Sequence, residues 1–378
     1  MKVRKIIPLF LAFVLCVTTA PVTMAAGTED TSFPAKFDLR DRGVVTPVKI
    51  QNPWQTCWAF AGTAAAESSI LSTLQAKGTP DNAKTFDLSE KHLTWFATQP
   101  ITKNIEPAQA GEGLHLLSDA QNAVYDTGGM SMFISTLFSS GVGPVYEKYF
   151  PYQGSTGLTD KQYLTRYPDK AREKVIEIVE IKLLSGITLE DLAANPDSDA
   201  TTSYCNYLCE KGYMNREDPL TVELLEEASF QLYLNEYASS VCYTRFDDWS
   251  IPELGEDEHP NRNFTSGFTM VDGNILPDLS IRHKDSNNQW VWDAVNPDGI
   301  RAVKEELMKG RAVSAGFKAD VSAPGQGIPE KSYMNYENWA HYTYEDVPQS
   351  HAICIVGWDD NYPAANFPEG HQPAGNGA

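Results

Sequence analysis

The sequence predicts an α+β fold of two lobes, helical first and strand-rich last, with a large mixed insertion between them. Three observations lead there. A helix of small residues begins at Cys57, apolar strand patterns cover Ala312 to Phe317 and Ala352 to Trp358 near the end, and the stretch between follows neither pattern. The 378 residues are 42% hydrophobic and 21% charged, enough apolar material for a globular core.

Residues 1–26 read apart from the rest. Lys2, Arg4 and Lys5 precede an apolar run from Ile6 to Val17, and Thr23, Ala25 and Ala26 supply small residues at a cleavage point, the layout of a secretory signal peptide. That run is short of the ~20 residues a spanning helix needs, and no stretch in the body reaches that length. Leu15 before Cys16 is too bulky for a lipidation signal. A secreted, extracellular protein is expected.

The first lobe is read over 33–154. Cys57 to Leu74 is its clearest helix, and Ala59, Ala61, Gly62, Ala64, Ala65 and Ala66 let it lie close against neighbours. The insertion, 155–290, has amphipathic helical patterns at Lys170 to Leu184 and Val222 to Tyr237, then an irregular Asp, Pro and Asn-rich segment from Asp247 to Ser286. The last lobe, 291–378, opens with a helix at Gly299 to Lys309 and continues into the two strand patterns.

Thirty Lys and Arg against fifty Asp and Glu give a net charge of −20, which argues against nucleic-acid partners because no basic cluster is present to displace their counterions. Cys205 and Cys209 are one helical turn apart and, with Cys242, make one disulfide plausible in an exported chain; without finger-type spacing no metal is expected, nor any cofactor.

The chemistry gathers at Cys57. At a helix start, the free N–H groups and the dipole favour a thiolate. Gln51, six residues upstream, is within reach of a folded-back turn that puts its amide beside the Cys57 N–H, and two such donors make an oxyanion hole. The plainer alternative is a small buried residue at a helix end. A thiolate needs a proton-handling partner, and among seven histidines His351 stands at the mouth of an apolar strand, Gln349-Ser350-His351-Ala352-Ile353-Cys354, where a side chain can be held rigidly over a cleft. Cys354, inside that strand, reads as a packing residue.

Gln51 six residues before Cys57-Trp58-Ala59-Phe60, then Leu88-Ser89-Glu90, Gly128-Gly129, Pro151-Tyr152 and Ser350-His351-Ala352 with Val356-Gly357, in that order, resemble the papain-type (C1) cysteine peptidases. The resemblance covers about 33–154 and 295–378. It implies the papain-like arrangement of a helical lobe and a β-barrel-like lobe, with Cys57 as nucleophile, His351 as general acid and base, Gln51 with the Cys57 N–H as the oxyanion hole, and Gly128 and Gly129 as the substrate-binding edge. The partners it implies are protein or peptide substrates, with any cell-surface association through regions outside this sequence. Asp248-Trp249-Ser250-Ile251 and Asn274-Ile275-Leu276-Pro277 are similar to bacterial secreted members that carry a lectin-like region.

Departures accompany the match. Trp54 stands where the family has a disulfide-bonded cysteine, so packing must hold that loop. No Asn-Ser-Trp run follows His351, from which we expect a chain cut short before the strand that bears the orienting Asn. Asp359, Asp360 and Asn376 read as turn residues rather than substitutes. The expected function is a secreted peptidase acting through an acyl-enzyme; the alternatives are a non-catalytic adhesin or carbohydrate-binding protein on the same scaffold, and a transpeptidase using the same thiolate.

Overall fold

The computed structural model describes residues 33–99, 116, 122–251, 267–320, 332–345 and 347–377. The leader read over 1–26 lies outside them.

Strand β1 (Lys36–Asp38) leads through a short 3-10 turn and a long loop into α1 (Cys57–Ala76). The buried side of α1 carries Trp58, Ala59, Ala61, Gly62, Thr63 and Leu71, among them three of the small residues that the sequence places there, while Ala64, Ala65 and Ala66 are only half-buried. Against it lie α2 (Glu90–Thr98) and α3 (Met132–Ser139), and Trp58, Ala59, Leu93, Phe96, Ile134, Leu137 and Phe138 form one apolar core. Ser89 caps α2 by accepting the His92 N–H at 3.1 Å.

Five helices follow: α4 (Asp160–Arg166), α5 (Pro168–Lys182), α6 (Leu189–Ala194), α7 (Asp199–Lys211) and α8 (Val222–Leu232), the last running into a π-helical turn at Tyr233–Tyr237. Thr159, Thr188, Ser198 and Thr221 cap four of them, each accepting a first-turn N–H. They bury a core of their own around Val179, Leu192, Leu208, Leu225 and Leu232, and a second around Tyr163, Leu164, Val175, Phe230 and Phe246. The periodic patterns at 170–184 and 222–237 correspond to α5 and to α8 with its π turn.

A hairpin of β2 (Ser280–Lys284) and β3 (Trp290–Val295) precedes α9 (Pro297–Met308). Then come β4 (Val313–Phe317), the short pair β5 (Met334–Asn335) and β6 (Ala340–His341), β7 (His351–Ile355) and β8 (Gly357–Asp359). The sequence pattern over 352–358 reads as one strand, but the structure divides it. β7 pairs antiparallel with β4, setting His351 opposite Phe317, whereas β8 pairs with β1. The Leu39 N–H takes the Val356 carbonyl at 2.9 Å, and a Cβ on Gly357 would stand 2.4 Å from the Phe37 carbonyl oxygen, so only glycine fits the crossing.

The chain is thus a mixed helix and strand protein, as expected. Among the described residues the strands pair two by two and do not close into a barrel. The strand-rich part sits on α1: Ser68 and Ser72 both donate to the Gly310 carbonyl, and Ser68 Oγ accepts the Ala312 N–H, fixing the entry to β4.

Candidate active site

Cys57 is the first residue of α1, half-buried, with a free thiol. The Ala59 and Phe60 N–H groups return to the Thr56 carbonyl at 2.9 and 3.2 Å, and the N–H of Cys57 lies ahead of them, where a helix offers no acceptor of its own. The first turn of α1 holds no acid, so nothing on the helix offsets the positive end of its dipole. Thr56 precedes the helix without capping it through its side chain. Its hydroxyl instead meets the Tyr152 hydroxyl at 2.6 Å.

Gln51 does lie on a folded-back turn. Its carbonyl accepts the Trp54 N–H at 3.2 Å, and its side-chain amide donates to the Trp54 carbonyl at 3.0 Å. One amide hydrogen is therefore spent inside the loop, and a carboxamide nitrogen carries a second. Packing holds this loop, as the missing disulfide requires. Trp54 is buried edge-on to Trp249, with ring centroids 5.7 Å apart, beside Tyr125 at 6.0 Å, and the Arg245 guanidinium covers it.

His351 begins β7 and is half-buried, its ring 5.6 Å from that of Phe317. Burial pushes its imidazole below the ordinary histidine value. The next residue, Ala352, packs against the core cluster that includes Trp58 and Ala59, and the strand that starts at His351 lies against the helix that starts at Cys57. Ser314 on β4 donates to Ser131 Oγ, which donates to the Trp58 carbonyl at 3.2 Å, a second tie between strands and helix start.

Gly128 has φ +66°, and a Cβ on Gly129 would stand 2.7 Å from the Trp58 indole. Both glycines thus have a local reason: one a left-handed turn, the other the tryptophan that follows Cys57. Asp359 ends β8 and accepts the Asn361 N–H on its side chain at 3.0 Å and the Tyr362 N–H on its carbonyl at 3.1 Å, a turn that carries Asp360. Asp359 also pairs with Lys36 at 3.1 Å and Asp360 with Lys304 at 2.6 Å, and Asn376 Oδ1 accepts the Ala364 N–H at 3.0 Å. Cys205, Cys209 and Cys242 are free thiols, so the disulfide expected among them does not form here. Cys205 and Cys209 lie on α7 against the insertion's own core.

Sequence reasoning passed over the charged cluster beneath the site. The Lys49 ammonium touches Glu67 at 3.0 Å, Asp87 at 2.5 Å and Glu90 at 2.7 Å, and donates to the Leu88 carbonyl. Glu67 also accepts from Thr46 Oγ1 and the Leu88 N–H. Burial raises Glu90 above the carboxylate range although Lys49 opposes it, and burial with Glu90 nearby pushes Glu147 up to about 8. Ligand atoms of Asp87, Glu90 and Glu147 lie within 4.8 Å of one another, and the Lys49 ammonium supplies a cation there. Only Glu90, in the run Leu88-Ser89-Glu90, had drawn notice in the sequence.

The family model for papain family cysteine proteases matches residues 33–94, taking in Gln51, Cys57 and Glu90. Residues 33–94 are thus similar to papain family cysteine proteases. The probable cysteine protease RD19B of Arabidopsis thaliana is 28% identical over 165 residues, 43% of this chain and 37% of that protein. Peptidase 1 of the mite Dermatophagoides farinae is 35% identical over 77 residues, 20% of this chain and 22% of that protein. The chain therefore spans well under half the length of the relatives it matches. The solved cysteine protease and lectin-like domains of Cwp84, a surface layer associated protein of Clostridium difficile, align over 92% of this chain and 44% of that one, at 17% identity and a TM-score of 0.38. The papain-family match ends before Gly128, Gly129 and His351.

Proposed function

We propose that the chain is a secreted papain-like cysteine peptidase that hydrolyses peptide bonds through a Cys57 thiolate and His351. The observation that carries this reading is that β7, the strand His351 opens, packs against α1, the helix Cys57 opens, with Ala352 on the core cluster that includes Trp58 and Ala59. The papain-family match around Cys57 supports it, and the leader pattern of 1–26 supports export.

In this reading the Cys57 thiolate attacks the substrate carbonyl carbon and the C=O electron pair moves onto oxygen. The Cys57 N–H and the second hydrogen of the Gln51 amide stabilise that oxyanion. As the tetrahedral species collapses, the C–N bond breaks and the His351 imidazolium passes its proton to the departing amine. Neutral His351 then takes a proton from water, whose oxygen attacks the thioester, and the thiolate leaves with the acid product released. Half-burial disfavours the imidazolium, so the pair depends on the thiolate's own negative charge to hold the proton on His351. Gly128 and Gly129 form the edge along which the substrate backbone runs, with Trp58 behind Gly129.

The test is Cys57 alkylation by iodoacetamide from pH 4 to 9, beside hydrolysis of a fluorogenic peptide, in the wild type and His351→Ala. Rapid alkylation persisting well below pH 7 and lost in His351→Ala is the expected result, with peptide hydrolysis that Cys57→Ala abolishes. An ordinary thiol profile indifferent to His351, with no hydrolysis, would overturn the reading in favour of a binding protein. Amide products formed with added amines, in place of acid, would make the enzyme a transpeptidase.

A further inference from the structure

Tyr152 stands where the loop carrying Gln51 meets the residue before Cys57. Its hydroxyl donates to the Gln51 carbonyl at 2.6 Å and lies 2.6 Å from Thr56 Oγ1. A phenol has one proton, so with that proton on Gln51 the Thr56 hydroxyl is the donor to Tyr152. This accounts for a feature of α1: Thr56, a residue type that caps helices, turns its hydroxyl away from the first-turn N–H groups, because Tyr152 takes it. The first turn is thereby left for another acceptor.

The ring itself has little freedom. It is buried edge-on between Phe60 and Trp249, with centroids at 4.9 and 5.0 Å, and its backbone N–H is held by Glu147 Oε1 at 2.5 Å. Trp249 is 0% exposed and belongs to the limb that returns from α8. That limb is pinned to the first lobe: the Trp249 N–H donates to Asn122 Oδ1 at 2.9 Å, its carbonyl accepts the Tyr125 hydroxyl at 2.9 Å, and the Asn122 amide donates to the Asp247 carbonyl at 2.7 Å, while the Trp249 indole N–H is held within the limb by the Thr244 carbonyl at 2.8 Å. The chain thus leaves the first lobe just after Tyr152, builds five helices, and comes back to close on Tyr152.

We propose that Tyr152 is the positioning residue of the nucleophile loop, fixing Gln51 and drawing the Thr56 hydroxyl off the first turn of α1, and that Trp249 on the returning limb locks it there. The helical insertion is then part of the frame that aims the oxyanion-hole amide. This rests on the peptidase reading for its kinetic consequences and on geometry alone for its structural ones.

The test is a double-mutant cycle of Tyr152→Phe and Gln51→Ala in the full chain. Tyr152→Phe keeps the ring and removes the hydroxyl. We expect kcat on a fluorogenic peptide to fall about 10- to 100-fold with KM within about twofold, below or equal to the ~100- to 1000-fold cost of losing one oxyanion donor. The double variant should be no slower than Gln51→Ala alone, because both act through one amide. A kcat within twofold of wild type, or losses that multiply, would overturn the proposal while wild-type hydrolysis leaves the peptidase reading standing. Trp249→Leu, if folded, should reproduce the Tyr152→Phe loss; unchanged kcat there would remove the insertion from the frame. Amide hydrogen exchange gives a readout independent of activity: Tyr152→Phe should accelerate exchange over residues 49–58 and leave 222–232 unchanged. Unchanged exchange over 49–58 would also overturn the proposal.

Discussion

Replacing Lys49 by Met tests whether the buried cluster that includes Glu67 of α1 is held by charge. Glu67 is 0% and Glu90 1% exposed, so both depend on Lys49 for their compensating charge, and Asp87 shares it. Burial works against the ammonium, but the fields of Glu90, Glu67 and Asp87 outweigh it and hold Lys49 above the ordinary lysine value. Met fills a similar volume along the same path, so the change removes charge with little loss of packing. Breaking a buried pair on one side typically costs about 3–5 kcal/mol, and here two fully buried carboxylates lose their partner at once. The deficit should be ~3–5 kcal/mol near pH 8 and shrink towards pH 5, where Glu90, raised to about 8 by burial, is protonated and no longer needs a cation. Urea unfolding of both proteins at pH 8 and pH 5 measures it. Lys36→Met is the control, since Lys36 is 69% exposed in its pair with Asp359 and such pairs contribute at most about 1 kcal/mol. A Lys49→Met deficit below 1 kcal/mol at pH 8, or one equal at both pH values, would refute the argument.

Three further outcomes follow from the same contacts. Glu147→Gln should raise Tm at pH 8–9 and leave it nearly unchanged at pH 5: a carboxyl raised to about 8 binds its proton in the folded state, so wild-type stability falls as pH rises from about 4.5 through 8, and the neutral amide escapes that loss. A scan showing parallel Tm–pH curves would contradict this. Gly129→Ala should cost about 1–3 kcal/mol by overpacking against Trp58 and should slow Cys57 alkylation, because the indole it displaces belongs to the residue that follows Cys57 directly; intact alkylation with intact stability would deny the contact. Cys354→Ala should lower Tm modestly while leaving Cys57 alkylation alone, since burial pushes the Cys354 thiol up to about 12 and keeps it unreactive near neutral pH; mass-spectrometric mapping at pH 7 that finds Cys354 modified as fast as Cys57 would count against it.

The amino-acid sequence alone determined what depends on near neighbours. The small residues after Cys57 fix a helix that lies close to its surroundings; the 3.6-residue patterns give α5 and α8; and the continuous apolar run after His351 gives a strand with the histidine at its mouth. Cys57 and His351 were legible for that reason: each sits at the end of a strongly patterned element. The tertiary structure decided what depends on residues far apart in the chain. No local signal says that 352–358 should split, because the break at Val356 comes from β1 taking Leu39 to its carbonyl and from a crossing only Gly357 permits. Nor could periodicity pair Lys49 with three acids between 18 and 41 positions later, or bring Trp249 across nearly two hundred residues to Trp54. A helix bonds to itself four residues away, whereas buried charge and aromatic packing are satisfied by whichever partners the folded core brings together.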